Sequence, residues 1–265
     1  NFTGGFTLNS GTLNINNASA LGDSASGFVI FQSSHSIDNT SGSPITLNDY
    51  TFVWSGGAST TTFVGTNDLN LGNGALALTI SRTLAVNSGT LTINAAISGA
   101  GCTLTKSGAG TLVLSGPNTF TGGVTLNAGT LNINNASALG TTAGTFVING
   151  STIDNTSGGA ITTSNYPMTW GGDFTFTGTN DLNLGTGAVS MSASRQVTVS
   201  GGNLTVGGVI SGAARSLTKA GAGALTLSGG SANTFTGGVT LNAGTLNINK
   251  AGALGTTAGT FTITG

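Results

Sequence analysis

The fifteen residues from Phe120 to Asn134, Phe-Thr-Gly-Gly-Val-Thr-Leu-Asn-Ala-Gly-Thr-Leu-Asn-Ile-Asn, return unchanged from Phe235 to Asn249, and Phe2 to Asn16 differs from them only at Phe6 and Ser10. The offsets are 120 − 2 = 118 and 235 − 120 = 115 residues. The copies stay in step well beyond this run. Ile37 to Gly42 returns as Ile153 to Gly158, Tyr50 and Trp54 as Tyr166 and Trp170, and Gly65 to Gly72 as Gly178 to Gly185. Arg82 corresponds to Arg195 and Lys106 to Lys219. Long-period self-similarity of this kind belongs to chains assembled from stacked units. The copies span residues 2–119, 120–234 and 235–265, the third incomplete, and the chain reads as a fragment of a longer array.

Inside each copy the pattern is short alternation broken by glycine, as in Val124-Thr-Leu126-Asn, Leu131-Asn-Ile133-Asn, Val197-Thr-Val199 and Leu204-Thr-Val206. Apolar residues at i and i+2 fall on one side of a strand, and the intervening Thr, Ser and Asn fall on the other. The intervening turns are rich in Gly, Asn and Ser, residues that accept the tight backbone angles of corners. Among the candidate corner residues are Gly4, Gly5, Gly122, Gly123, Gly237, Gly238, Asp68 and Asp181, each at a recurring place. A strand-and-turn unit that cannot bury its own dry side must stack on its neighbours. The spacings Leu112 to Leu131 and Leu225 to Leu246, 19 and 21 residues, set a coil of about 20. The sequence therefore predicts an all-β fold, one continuous β-solenoid over residues 1–265.

Composition narrows the partners. Glu is absent, charged residues make up 5% and the formal net charge is −1, so an all-α fold and the basic patch that nucleic acid or an anionic membrane requires are both excluded. With 37% hydrophobic residues the chain has material for a core, so disorder is not expected. No apolar run is long enough to insert in a bilayer, and Asn1 opens no signal-peptide pattern. The single cysteine, Cys102, closes no disulfide within the chain.

The run Leu104-Thr-Lys106-Ser-Gly-Ala-Gly110-Thr-Leu-Val-Leu114-Ser-Gly-Pro-Asn118-Thr-Phe-Thr-Gly-Gly-Val-Thr-Leu126-Asn-Ala-Gly-Thr-Leu131 closely resembles the autotransporter-associated β-strand repeat of bacterial surface proteins. It recurs at Leu217 to Leu246, and its second half opens the chain at Phe2 to Leu13. The stretches Phe28 to Trp54 and Asp173 to Met191 match no such motif. The resemblance implies a right-handed parallel β-helix in a secreted passenger or large surface protein of a Gram-negative-type bacterium. It implies a stalk and, by itself, no activity.

Asp38 and Asp154, like Asp68 and Asp181, recur once per copy, as corner residues bonding their own turns would. The once-per-copy cations Arg82, Arg195, Lys106 and Lys219 read as solvated surface charge. His35, the only histidine, reads as a loop residue. Ser33 to Asp38 offers the residue types of a catalytic triad, but neighbours on one loop do not make its geometry, and copy two has no His there. No metal set or calcium nonapeptide can be assembled, so no cofactor and no metal are expected. Tyr50, Trp54, Tyr166 and Trp170 could stack on a sugar; core packing is the favoured reading.

The sequence thus points to a non-catalytic extracellular or cell-surface β-solenoid, a stalk, fibre or surface layer. Its expected partner is itself, end to end or side by side, because surfaces of Thr, Ser and Asn with almost no net charge repel one another weakly. The alternative is an adhesin that binds host glycan or surface protein. Ice-binding through threonine rows and a polysaccharide-acting enzyme are minor readings, the first weakened by irregular rows and the second by scarce acids.

Overall fold

The structure is a computed structural model and describes residues 3–25, 28–57 and 59–264. Phe2, where the first sequence copy opens, and Asn1 and Gly265, at the two ends of the chain, lie outside these residues. No helix occurs among the described residues. The chain divides into two compact units, Asn1–Gly144 and Thr145–Gly265. The division falls inside the second sequence copy.

In the first unit the chain runs repeatedly past three walls. The first two strands are β1 (Phe6–Leu8) and β2 (Thr12–Asn14). The next turn holds β3 (Phe28–Gln32), β4 (His35–Asp38) and β5 (Ile45–Thr46), and the one after it β6 (Thr51–Ser55), β7 (Ser59–Phe63) and β8 (Leu69–Asn70). Then come β9 (Leu76–Leu78), β10 (Arg82–Val86) and β11 (Thr90–Ile93), followed by β12 (Ile97–Ser98), β13 (Leu104–Ser107) and β14 (Thr111–Leu114). The last turn adds β15 (Gly123–Leu126) and β16 (Thr130–Ile133). The first wall is β1-β3-β6-β9-β12, the second runs β2-β4-β7-β10-β13-β15, and the third β5-β8-β11-β14-β16. The strand pairings described within this unit are parallel and in register. The fold is a β-solenoid, as the alternation requires.

The second unit repeats the design. Its turns are β17 (Thr145–Ile148), β18 (Thr152–Asp154), β19 (Ile161–Thr162); β20 (Met168–Trp170), β21 (Phe174–Phe176), β22 (Leu182–Asn183); and β23 (Val189–Met191), β24 (Arg195–Val199), β25 (Asn203–Val206). They continue with β26 (Ile210–Ser211), β27 (Leu217–Ala220), β28 (Ala224–Leu227), then β29 (Val239–Leu241) and β30 (Thr245–Ile248), and finally β31 (Phe261–Ile263). The walls are β17-β20-β23-β26, β18-β21-β24-β27-β29-β31 and β19-β22-β25-β28-β30.

Register pairs give the coil length directly. Leu112 lies beside Leu131 and Leu225 beside Leu246, the two spacings that set the expected coil. Partners are 19 residues apart at Thr111 and Thr130 but 26 apart at Ser36 and Thr62. The corners absorb the difference, because the pleat fixes the strands and leaves only the turns free to vary.

The inward residues form apolar columns parallel to the stacking direction. Leu69, Leu91, Leu112 and Leu131 stack in the first unit, and Leu182, Leu204, Leu225 and Leu246 in the second. Val29, Phe52, Leu76 and Ile97 fill another column, with Phe31, Trp54 and Leu78 beside it. Full burial of such side chains stabilises by about 1.5–3 kcal/mol each. Most outward positions carry Thr, Ser or Asn, with Phe28, Ile30 and Val53 as apolar exceptions on the first wall of the first unit.

Candidate functional site

The four large aromatics belong to the core. Tyr50, Trp54 and Trp170 are wholly buried and Tyr166 is 2% exposed. The Tyr50 hydroxyl donates to the carbonyl of Gly22 at 3.0 Å, and the Trp170 ring meets Phe174 edge-on at 5.2 Å. No ring face of these four is open to a sugar. They hold the interior where the alternation would otherwise place an aliphatic residue.

The cations correct the sequence reading. Arg82 is 1% exposed, Lys106 and Lys219 are wholly buried, and the side chain of Arg195 is 12% exposed, so none of the four is a solvated surface charge. Lys106 sits in an apolar column between Leu84 and Leu126, and Lys219 sits between Val197 and Leu241. Each aliphatic stem packs as part of the column while the ammonium reaches a corner. Lys106 Nζ donates to the carbonyls of Ser107 (2.9 Å), Gly108 (2.7 Å) and Ala128 (3.0 Å). Lys219 Nζ donates to those of Ala220 (2.8 Å), Gly221 (2.8 Å) and Ala243 (3.1 Å). Three donors meet three backbone acceptors, two on the lysine's own corner and one on the next coil. Burial pushes both lysines down to about 8.

Arg82 does the same work with a longer reach. Its guanidinium donates to the carbonyls of Phe31 (3.2 Å), Ser33 (3.1 Å) and Ser55 (2.9 Å), and it lies 5.9 Å from the Trp54 ring centre. Arg195 donates to Trp170 O (2.9 Å), Gly171 O and the Ser192 hydroxyl (both 2.6 Å), with Asp173 3.9 Å away. The overlooked signal is phase. Arg82 alternates with Leu84 and Val86, Lys106 with Leu104, and Arg195 with Val197 and Val199, so all point inward with the apolar set.

His35 is likewise not a loop residue. It lies on β4 in phase with Ile37, is 4% exposed, and packs 4.5 Å from Phe31 between ring centres. Burial, with a smaller contribution from the Arg82 charge, pushes its pKa below the usual histidine range against the opposing pull of the Ser33 and Gln32 backbone. It is therefore neutral at pH 7.

The acids bind the next coil more than their own turn. Asp38 Oδ1 accepts from the Asn39 amide (2.9 Å) and, one coil on, from the amides of Gly65 (3.2 Å) and Thr66 (2.9 Å); Oδ2 accepts from the Thr66 hydroxyl (2.6 Å). Burial raises the pKa of Asp38, but these donors outweigh it and hold the carboxyl below its ordinary value. Asp154 accepts in the same way from Gly178, Thr179 and the Thr179 hydroxyl. Asp68 receives the amide of Thr90 (2.7 Å), and Asp181 that of Asn203 (2.8 Å). Sequence reasoning missed Asn118 and Asn233. Asn118 accepts from the Ile97 amide (2.8 Å) and donates to the Ala138 carbonyl (2.6 Å), and Asn233 links Ile210 and Ala253 at the same distances. Each primary amide thus joins three successive coils, much as a strand's backbone would.

The recurring glycines allow the coils to approach. Gly123 and Gly238 both take φ +85°, while a Cβ on Gly122 would meet the Cys102 backbone at 2.5 Å and one on Gly237 the Arg215 backbone at 2.6 Å. Gly5 is closely approached by Phe28, and Gly4 has open space. A shallow surface depression of about 260 Å³ is lined by Ser151, Thr152, Asp173, Thr175 and Gln196 among others. Among the described residues no group of three or more His, Cys, Asp or Glu side chains could hold a metal ion.

The coil-bridging residues Lys106, Asn118, Lys219 and Asn233 fall within the segments matched by a family described as passenger-associated-transport-repeat, at residues 1–15, 104–133 and 217–248. Three segments of the chain match this repeat, the first over residues 1–15 alone. It is also 35% identical over 165 residues, 61% of its length, to a protein named "Adhesin BmaC autotransporter" from Brucella suis biovar 1 (strain 1330). The chain covers 4% of that relative's length. No solved structure matches it. In the two longer matches, one lysine and one asparagine bond across neighbouring coils, and the paired glycines let those coils approach.

Proposed function

We propose that this chain is a non-catalytic stretch of a surface-exposed passenger, a β-solenoid stalk that holds its outer faces away from a Gram-negative-type cell and associates with copies of itself. The observation that carries the reading is the use to which the recurring polar residues are put. Lys106 and Lys219, Asn118 and Asn233, and Asp38 and Asp154 each place at least one hydrogen bond between coils. Residues that recur once per copy are thereby structural fasteners. The passenger repeat and the similarity to part of an autotransporter adhesin support the location. The outward Thr, Ser and Asn, with a formal net charge of −1, support self-association, since little charge keeps copies apart.

The second reading is an adhesin segment, favoured by the name of that relative. Negative-stain microscopy of purified protein at low and high concentration separates the two. Fibres or bundles that grow with concentration support self-association. Short particles that stay dispersed at high concentration overturn it, and specific binding of such particles to host cells or a glycan array moves the assignment to the adhesin.

A further inference from the structure

The sequence period and the coil do not fit a whole number of times, and the register shows what happens instead. In copy one, the strands of the Phe-Thr-Gly-Gly motif are β1 and β2, on the first and second walls of their unit. In copy two the corresponding strands, β15 and β16, lie on the second and third walls of the same unit. The second unit repeats the shift independently. There β17 of copy two lies on the first wall, and its counterpart in copy three, β31, lies on the second.

Both shifts amount to five full coils plus one wall. The extra wall is the stretch before the motif that forms no strand yet keeps its place in the ladder: Thr119 N donates to Ile97 O and Thr121 N to Gly99 O. In the second unit Thr234 N donates to Ile210 O, and Thr256 N to Phe235 O, in the same way. Coils average about 22 residues, so a copy of 115 or 118 residues overruns five of them by a third.

From this we infer that an array of these repeats carries each repeat-borne surface feature one wall further round the axis with every copy, returning it to the same side only after three copies. The clearest such feature within one unit is the surface corner at residues 9–11, between β1 on the first wall and β2 on the second, matched in copy two by residues 127–129, between β15 on the second wall and β16 on the third. Three copies are sixteen coils, about 77 Å at about 4.8 Å per coil. Such an array meets partners on three sides in turn instead of along one stripe. The inference deepens the stalk reading and rests on it for its use, but the shift itself is independent of self-association.

Cysteine pairs test it in a Cys102→Ala background. Thr105 and Thr125 are outward register partners across the second wall, whereas a whole-number period would set Thr125 beside Ser98 of β12. Thr105→Cys with Thr125→Cys should cross-link under mild oxidation at least tenfold faster than Ser98→Cys with Thr125→Cys. In the second unit, Thr240→Cys with Thr262→Cys, register partners, should outpace Thr234→Cys with Thr262→Cys. All these positions are at the surface or half-buried, and thermal unfolding of the reduced variants checks that each folds. The opposite order in either unit overturns the inference. Dispersed particles by microscopy alongside the expected cross-links would refute only self-association.

Discussion

The ammonium of Lys106 donates to the carbonyl oxygen of Ala128, 3.0 Å away on the next coil, and with it closes a corner that has no acidic partner. Lys219 and Ala243 repeat the bond at 3.1 Å in the second unit. A buried cation held only by backbone oxygens is worth keeping where the corner's carbonyls would otherwise face an apolar interior without a donor.

Lys106→Ala and Lys219→Ala each strip three acceptors of their donor and leave a hole in an apolar column. Each should cost about 2–4 kcal/mol of unfolding free energy. Chemical denaturation followed by circular dichroism measures it; a loss under about 0.5 kcal/mol would show that water replaces the ammonium freely.

The same lysines set a pH dependence. Their folded pKa, about 8, lies below the unfolded value of 10.5, so between these two pH values the unfolded chain holds the extra protons and stability rises with pH. The gain is at most about 3 kcal/mol per lysine. Unfolding midpoints taken from pH 8 to 10 should climb for the unsubstituted protein and climb much less for Lys106→Met with Lys219→Met.

Asp38 gives the opposite limb. Its folded pKa is depressed, so its contribution is complete above the unfolded value of 3.8 and is lost as pH falls through the folded one. Asp38→Asn should lower stability by about 1–2 kcal/mol at neutral pH and flatten the acid side of the profile. Urea titrations at pH 7 and at pH 2–4 compare the two proteins.

Gly65 and Gly178 take φ +86° and +83°, and a Cβ on either would lie 1.9 Å from a carbonyl oxygen of the next coil, that of Ser88 or Gly201. Gly65→Ala or Gly178→Ala should destabilise by more than about 2 kcal/mol, by strain and overpacking together. Gly4→Ala, with nothing within 4 Å, should change the melting temperature little.

Trp54→Ala and Trp170→Ala empty the largest buried sites and should each cost about 3–5 kcal/mol. Unfolding curves read this directly. A variant that keeps full stability would place the ring outside the core.

The solenoid was legible because its two periods are written in different residues. Alternating Leu, Val and Ile mark the strands, and Leu112 to Leu131 marks the coil, which the register reproduces. The cations were misread because charge was weighed before phase. Arg82 shares its side with Leu84 and Val86, and period-two alternation carries a residue inward whatever its head group. Asn118 had no such mark: a single asparagine after Ser-Gly-Pro looks like any turn, and only the neighbouring coils reveal that both ends of its amide are occupied. The quarrel between a 20-odd-residue coil and a repeat of 115 or 118 was visible as arithmetic. Its resolution into a one-wall shift needed the pairing of β15 and β31.

The ladder bonds within each unit run along the stacking direction, so tension applied along that direction within a unit should open them one coil at a time without shearing a whole wall at once. Every released coil of about 22 residues adds about 75 Å of extended chain. The side-chain bridges from Lys106, Asn118 and Asp38 load together with the backbone bonds of their own corners. A pulled segment would therefore lengthen in even, modest steps, yielding gradually under drag and rewinding on the coil that remains.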